Sequence, residues 1–156
     1  MQNPSFPSVV RGIIINPEEK ILMVRHRESD PWVFPGWHVE ANESLHDAML
    51  REVSEELRIT CTFQEGQYEE PLPWEEGLVM IPLPITGYQL SYTRGEKDRS
   101  RTEYIFVLET EDRVWETQQE EILEHAWFDP EDIAGGKVET FPMNQRIVEK
   151  LFYGEE

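Results

Sequence analysis

FPGWHVEANESLHDAMLREVSEELRI, Phe34–Ile59, runs from proline, glycine and aromatic residues with no helical period into a segment where Leu45, Met49, Val53 and Leu57 recur every four residues. That spacing puts four apolar side chains on one stripe of an α-helix. Ser44 stands just before the stripe as an N-cap, and Asp47, three residues on, makes an approximate capping box in which glutamate or glutamine is the usual partner. The pattern predicts one helix entered from a loop or short irregular strand. On it, Glu52, Glu55 and Glu56 fall within roughly 100° of one another beside the stripe. Like charges at such spacing cost a few tenths of a kcal/mol per pair, and the helix dipole disfavours them further near a C-terminus. Two readings answer the repulsion. One is a solvated acidic face relieved by Arg51 and Arg58; the other is a site for a hard divalent cation, magnesium or manganese, which prefers carboxylate oxygens.

Outward from that segment the chain alternates strand and turn composition. VVRGIIIN, PEEK and ILMVRHR (9–27) read as a hairpin, and ITCTF (59–63) as a strand. EGQYEEPLPWEEG (65–77) is an acidic, proline-containing connection. LVMIPLPITGYQLSYT (78–93) and TEYIFVLET (102–110) read as strands joined by the polar turn RGEKDRSR. HAWFDPEDI (125–133) suggests a short strand entering a proline-started turn or short helix. NQRIVEKLF (144–152) suggests a terminal helix with Ile147, Val148, Leu151 and Phe152 inward. With no internal repeat or low-complexity linker, residues 1–156 are expected to form a single mixed α/β domain with helices packed on a sheet.

The 156 residues suffice for one buried core. No apolar run approaches the roughly 20 residues needed to cross a bilayer, and MQNPSFPSVVRG has no signal-like character, so a cytoplasmic protein without a membrane partner is expected. Cys61, the single cysteine, has no disulfide partner and reads as a buried small residue. A formal charge of −18 argues against long nucleic acids, whose phosphates are bound by lysine and arginine. It does not exclude a small phosphorylated ligand, because a divalent cation reverses the local sign of an acidic site. His26, His38, His46 and His125 show no metal-ligand spacing.

Taken together, the loop and helix resemble the signature of the Nudix hydrolase family. Glu43, Arg51, Glu52, Val53, Glu55, Glu56 and Ile59 stand in register with it, and ILMVRHR, TEYIFVLET and EEILEHAWFDPEDI resemble its surrounding strands and loop. Two positions depart. Trp37 replaces the first signature glycine, although Gly36 precedes it, and Arg58 replaces the late one. If the helix ends with φ > 0, a non-glycine residue at 58 costs on the order of 1 kcal/mol.

The resemblance implies an α/β/α sandwich with a mixed sheet and a catalytic loop-helix-loop. It implies hydrolysis of a pyrophosphate bond in a nucleoside diphosphate linked to another moiety, with Mg2+ or Mn2+ as cofactor. Glu52, Glu55 and Glu56 would coordinate the metal, with the Gly36 carbonyl as a further ligand, and an Arg51–Glu43 ion pair would orient them. The general base is either Glu52 or a later loop glutamate, Glu120 or Glu121. Trp37 and Trp74, expected in loops, could stack a base or sugar, whereas Trp32 and Trp127 are expected in the core. Arg27 is a candidate phosphate contact, as are Arg25, Arg94, Arg99 and Arg101. Pro73 leans the substrate toward the ADP-ribose type. A nucleotide-binding module without turnover is the alternative, an isomerase on the same fold is a weaker one, and dimeric relatives leave a homodimer open.

Overall fold

A computed structural model describes residues 7–28, 30–64, 74, 76–112 and 124–154. Strand β1 (Ser8–Ile15) turns into β2 (Ile21–Arg25) through a loop closed by Asn16, whose side-chain oxygen accepts from the Glu18 and Lys20 amides at 3.0 and 2.9 Å. A short β3 (Gly36–His38) then returns antiparallel to β1, pairing Gly36 with Arg11 and Trp37 with Val10. Helix α1 (Leu45–Glu52) follows and continues as a π-turn, Val53–Leu57. Next come β4 (Thr62–Phe63), β5 (Thr86–Arg94), β6 (Lys97–Glu109), β7 (Glu124–Phe128), α2 (Pro130–Ala134) and α3 (Pro142–Tyr153).

The sheet has the order β4-β6-β1-β2-β7, with β3 added to β1 and β5 to β6. Among the named strands of the described residues β1 and β6 pair in parallel and the other pairings are antiparallel, so the sheet is mixed. A parallel pair needs a crossover, and the chain that leaves β1 and returns as β6 contains α1. Successive strand residues point to opposite faces. Ile14, Leu22 and Leu108 therefore join Met49, Val53 and Leu57 in one core, while Ile13, Met23 and Val107 join Ile133, Ile147 and Val148 in the other. Burial on both faces explains why β1 and β2 read as apolar runs instead of alternating. Each large apolar side chain so buried contributes about 1.5–3 kcal/mol. The architecture is the expected α/β class, with helices on both faces of the sheet. Among the described residues no helix is long and apolar enough to cross a membrane.

Three local expectations are corrected. Residues 78–85 are irregular and not strand, because Pro82 and Pro84 carry no amide to donate to a ladder. The turn before β6 shrinks to Gly95 and Glu96, with Gly95 at φ 69°, and residues 97–101 pair with β5 instead of forming a polar loop. Trp37 lies in a strand, not a loop, and its side chain packs among Val10, Val39 and Ala48 at 8% exposure. Trp32 packs edge-on against Phe128 at 5.0 Å, and Trp127 lies against the α1-side core.

Candidate active site

Helix α1 begins where the sequence places it: the Ser44 hydroxyl accepts from the Asp47 amide at 3.3 Å. The helix then carries Arg51 beneath the preceding loop. Its guanidinium makes a two-pronged contact with Glu43, Nε to Oε2 at 2.5 Å and Nη2 to Oε1 at 2.9 Å. The remaining Nη1 donates to Glu52 at 2.7 Å and to Glu55 at 3.2 Å. A planar fork of donors suits this arrangement, in which one cation fixes three carboxylates. Glu43 also accepts from the Glu40 amide at 3.2 Å, which braces the loop that Arg51 ties to the helix.

The π-turn changes which acids face together. An i→i+5 turn takes a smaller angle per residue than an α-helix, so position 56 moves closer to lying over position 52 and position 55 is carried farther round. Glu56 is accordingly buried at 6% exposure, whereas the Glu55 side chain is 58% exposed on the outside of Arg51. The common face expected for all three glutamates is therefore divided. Arg58 ends the turn at φ 55°, ψ 39°, the left-handed conformation that glycine would adopt without strain.

An open cavity of about 580 Å³ lies beside this turn, lined by His26, Arg27, Gly36, Trp37, His38, Glu40, Glu52 and Glu56. Gly36 has no room for a side chain: a Cβ there would meet Arg11 Cγ at 2.6 Å and the Val10 carbonyl at 3.0 Å. Arg11 fills the space a side chain would take, and Gly36 lines the cavity with its backbone. A larger cavity of about 680 Å³, lined in part by Thr60, Glu109 and Glu111, lies apart from these residues near the turn after β1.

Burial and hydrogen bonding pull the acids apart electrostatically. The Arg51 hydrogen bond holds Glu43 below the usual carboxylate range, and the same contact pushes the Arg51 guanidinium up. Burial pushes Glu52 up, against the opposing hydrogen bond from Arg51. Cys61 is buried, and loss of solvent pushes its thiol up to about 12, which leaves it a poor nucleophile at neutral pH.

The donor chemistry of the cavity fits a hard divalent cation, since Glu52, Glu56, Glu40 and the Gly36 backbone offer oxygen. Their side chains are not gathered around one point: among the described residues no three His, Cys, Asp or Glu converge in metal-holding geometry. Arg51 accounts for this by drawing Glu52 and Glu55 toward itself. Of the other candidates, Arg27 lines the cavity and is exposed, Trp37 contributes little free ring surface, and Trp74 is 76% exposed outside it. Glu120 and Glu121 lie outside the described residues. Sequence reasoning missed Glu40, although it stands three residues before Glu43 in the same acidic loop.

The fold and the cleft define an α/β/α sandwich with an oxygen-lined acidic site at the end of its first helix. The NUDIX domain family model matches residues 5–151, and the chain belongs to the Nudix family. It is 31% identical over 61 residues to a Bacillus subtilis (strain 168) protein named "Putative 8-oxo-dGTP diphosphatase", an alignment covering 38% of this chain and 41% of that one. A NUDIX-family hydrolase from Clostridium perfringens superposes with a TM-score of 0.65 at 17% identity, covering 94% of this chain and 98% of the other. The E. coli dihydroneopterin triphosphate pyrophosphohydrolase superposes with a TM-score of 0.63 at 17% identity, covering 95% and 96%. At such identities these superpositions establish the fold.

Proposed function

We propose that the protein hydrolyses a pyrophosphate bond in a small nucleotide, a nucleoside diphosphate linked to another moiety, with Mg2+ or Mn2+ held by Glu52 and Glu56. The observation that carries this reading is one cavity lined both by two largely buried glutamates of a single helical turn and by the backbone of Gly36. A divalent cation held there would neutralise charge on the phosphoryl oxygens and activate a water for in-line attack. The protein's own contribution is positional. Arg51, locked on Glu43, fixes where Glu52 can point, and Glu55 is the further donor that could turn inward from the helix surface. Gly36 lines the cavity with backbone alone, and the exposed Arg27 on its wall would meet the charge of a phosphate. Glu52, whose proton affinity burial raises, is one candidate general base; Glu120 or Glu121 is the other.

Both departures from the signature are absorbed locally, which supports turnover over a binding module without catalysis. Arg58 adopts the glycine-like conformation, and the Trp37 ring turns into the core instead of filling the cleft. The names of the relatives favour nucleoside triphosphates, and Pro73 favours ADP-ribose-type compounds, so a substrate panel is the test. Nucleoside triphosphates, nucleotide sugars, ADP-ribose and dinucleoside polyphosphates are incubated with and without metal. At least one should be cleaved only with metal, and Glu52→Gln or Glu56→Gln should slow it at least about a hundredfold. Full activity in both variants overturns the assignment, and tight nucleotide binding without product supports the non-catalytic module.

A further inference from the structure

Besides the glutamate-lined cavity, a second one, of about 360 Å³ at α3, carries charge opposite to that of the chain. Arg11, Arg101 and Arg146 line it against a single acid, Glu103, in a protein whose formal charge is −18. Glu103 is almost fully buried, with its side chain 3% exposed, and is held from both sides: Arg11 Nε donates to one carboxylate oxygen and Arg101 Nε donates to the other at 3.1 Å. Both contacts use Nε; the Arg101 guanidinium also lies over the Tyr92 ring, 5.2 Å from its centroid, and its terminal nitrogens make no hydrogen bond among the described residues. One terminal nitrogen of Arg11 donates to the Phe34 carbonyl at 2.8 Å and ties β1 to the loop before β3. Arg146, exposed on α3, makes no ion pair among the described residues. One carboxylate thus anchors two guanidiniums without balancing three. The remaining walls include Tyr88 and Phe141, the latter 53% exposed, and offer ring surface beside the cations.

The two cavities lie on opposite faces of the sheet and share one residue pair of the β1–β3 ladder. Arg11 lines the second, and its partner in the β1–β3 register, Gly36, lines the first. A ligand whose diphosphate lies against the glutamates would pass round β3 to reach the arginines. From this juxtaposition we infer that the second cavity is an anion-binding subsite, taking a phosphate or carboxylate borne on a ring at the end of the substrate remote from the cleaved bond. Guanidiniums with free terminal nitrogens bind such oxygens through paired hydrogen bonds, and the flanking aromatic faces favour a ring behind the charge. The substrate clause rests on the function proposed above; the anion site itself does not.

The test separates the two. Phenyl phosphate and benzyl alcohol are titrated into the 15N-labelled full chain in EDTA, so that neither metal nor turnover contributes. Phenyl phosphate should shift the amides of Arg101, Glu103 and Arg146 and bind at least about tenfold tighter than the alcohol. Arg146→Gln, and independently Arg101→Gln, should remove most of that preference while the remaining spectrum stays dispersed. Equal affinities, shifts centred on Glu52 and Glu56, or a preference unchanged in both variants would overturn the anion site. In a metal-loaded assay with a cleaved substrate, phenyl phosphate should raise KM at constant kcat. An effect on kcat alone would assign the site to a separate effector and overturn the substrate clause.

Discussion

Replacing Arg51 by methionine removes the one cation that three glutamates share, while keeping an unbranched side chain on the helix. Stripping one partner from a buried ion pair costs about 3–5 kcal/mol. Here the side chains of Glu43 and Glu52 keep 15% and 13% exposure and that of Arg51 keeps 31%, so water recovers part of the loss and about 2 kcal/mol is expected. Glu55, on the surface, adds little. The pH dependence has a definite sign. Glu43 is depressed in the folded state, so its contribution is present above the unfolded value of 4.5 and is lost as pH falls through the lower folded value. Glu52 is raised by burial and lowered by Arg51, so losing the arginine raises it further and its penalty disappears on protonation. Both effects narrow the gap between wild type and variant in acid. Urea unfolding at pH 7 and again below pH 4 measures it. A variant within about 0.5 kcal/mol of wild type at pH 7, or a gap that widens in acid, would refute the reasoning.

Ser44→Ala should cost about 0.5–1 kcal/mol by the same unfolding assay, at the low end because the cap bond is long at 3.3 Å; no change would mean that the cap is not formed in solution. Gly36→Ala forces a Cβ to 2.6 Å from Arg11, so both thermal stability and hydrolysis should fall, and an unaffected variant would contradict the tight β1–β3 approach. With its folded thiol at about 12 against 9.0 unfolded, Cys61 opposes unfolding only while protonated, so stability should decline above pH 9. At pH 10.5 the loss is about 2 kcal/mol, and Cys61→Ala should flatten that slope relative to wild type.

The parts of the fold that local chemistry dictates were legible. The four-residue apolar period and Ser44 located α1, the apolar runs located β1 and β2, and Pro130 marked the start of α2. What escaped was set by long-range pairing or by backbone detail. The parallel contact of β1 with β6 joins segments about 90 residues apart, and no local signal encodes it. The π-turn has no sequence mark beyond an arginine where glycine is usual, yet it decides that Glu56 faces the cavity and Glu55 does not. For the same reason Trp37 looked like a loop residue: three strand residues carry too short an alternation to read. The Arg11–Glu103 pair did leave a trace, a lone cation inside the apolar run VVRGIIIN and an anion, Glu103, directly before the apolar run YIFVL. Only the fold shows that they meet.

Manganese titration followed by the paramagnetic resonance of free Mn2+ tests most directly whether the buried glutamates of the α1 turn hold the ion on which pyrophosphate cleavage would depend. Wild type should deplete the free-ion signal saturably, and Glu56→Gln should weaken binding at least about tenfold while Glu76→Gln, on the exposed connection, leaves it unchanged. Identical titrations for wild type and Glu56→Gln would contradict the account.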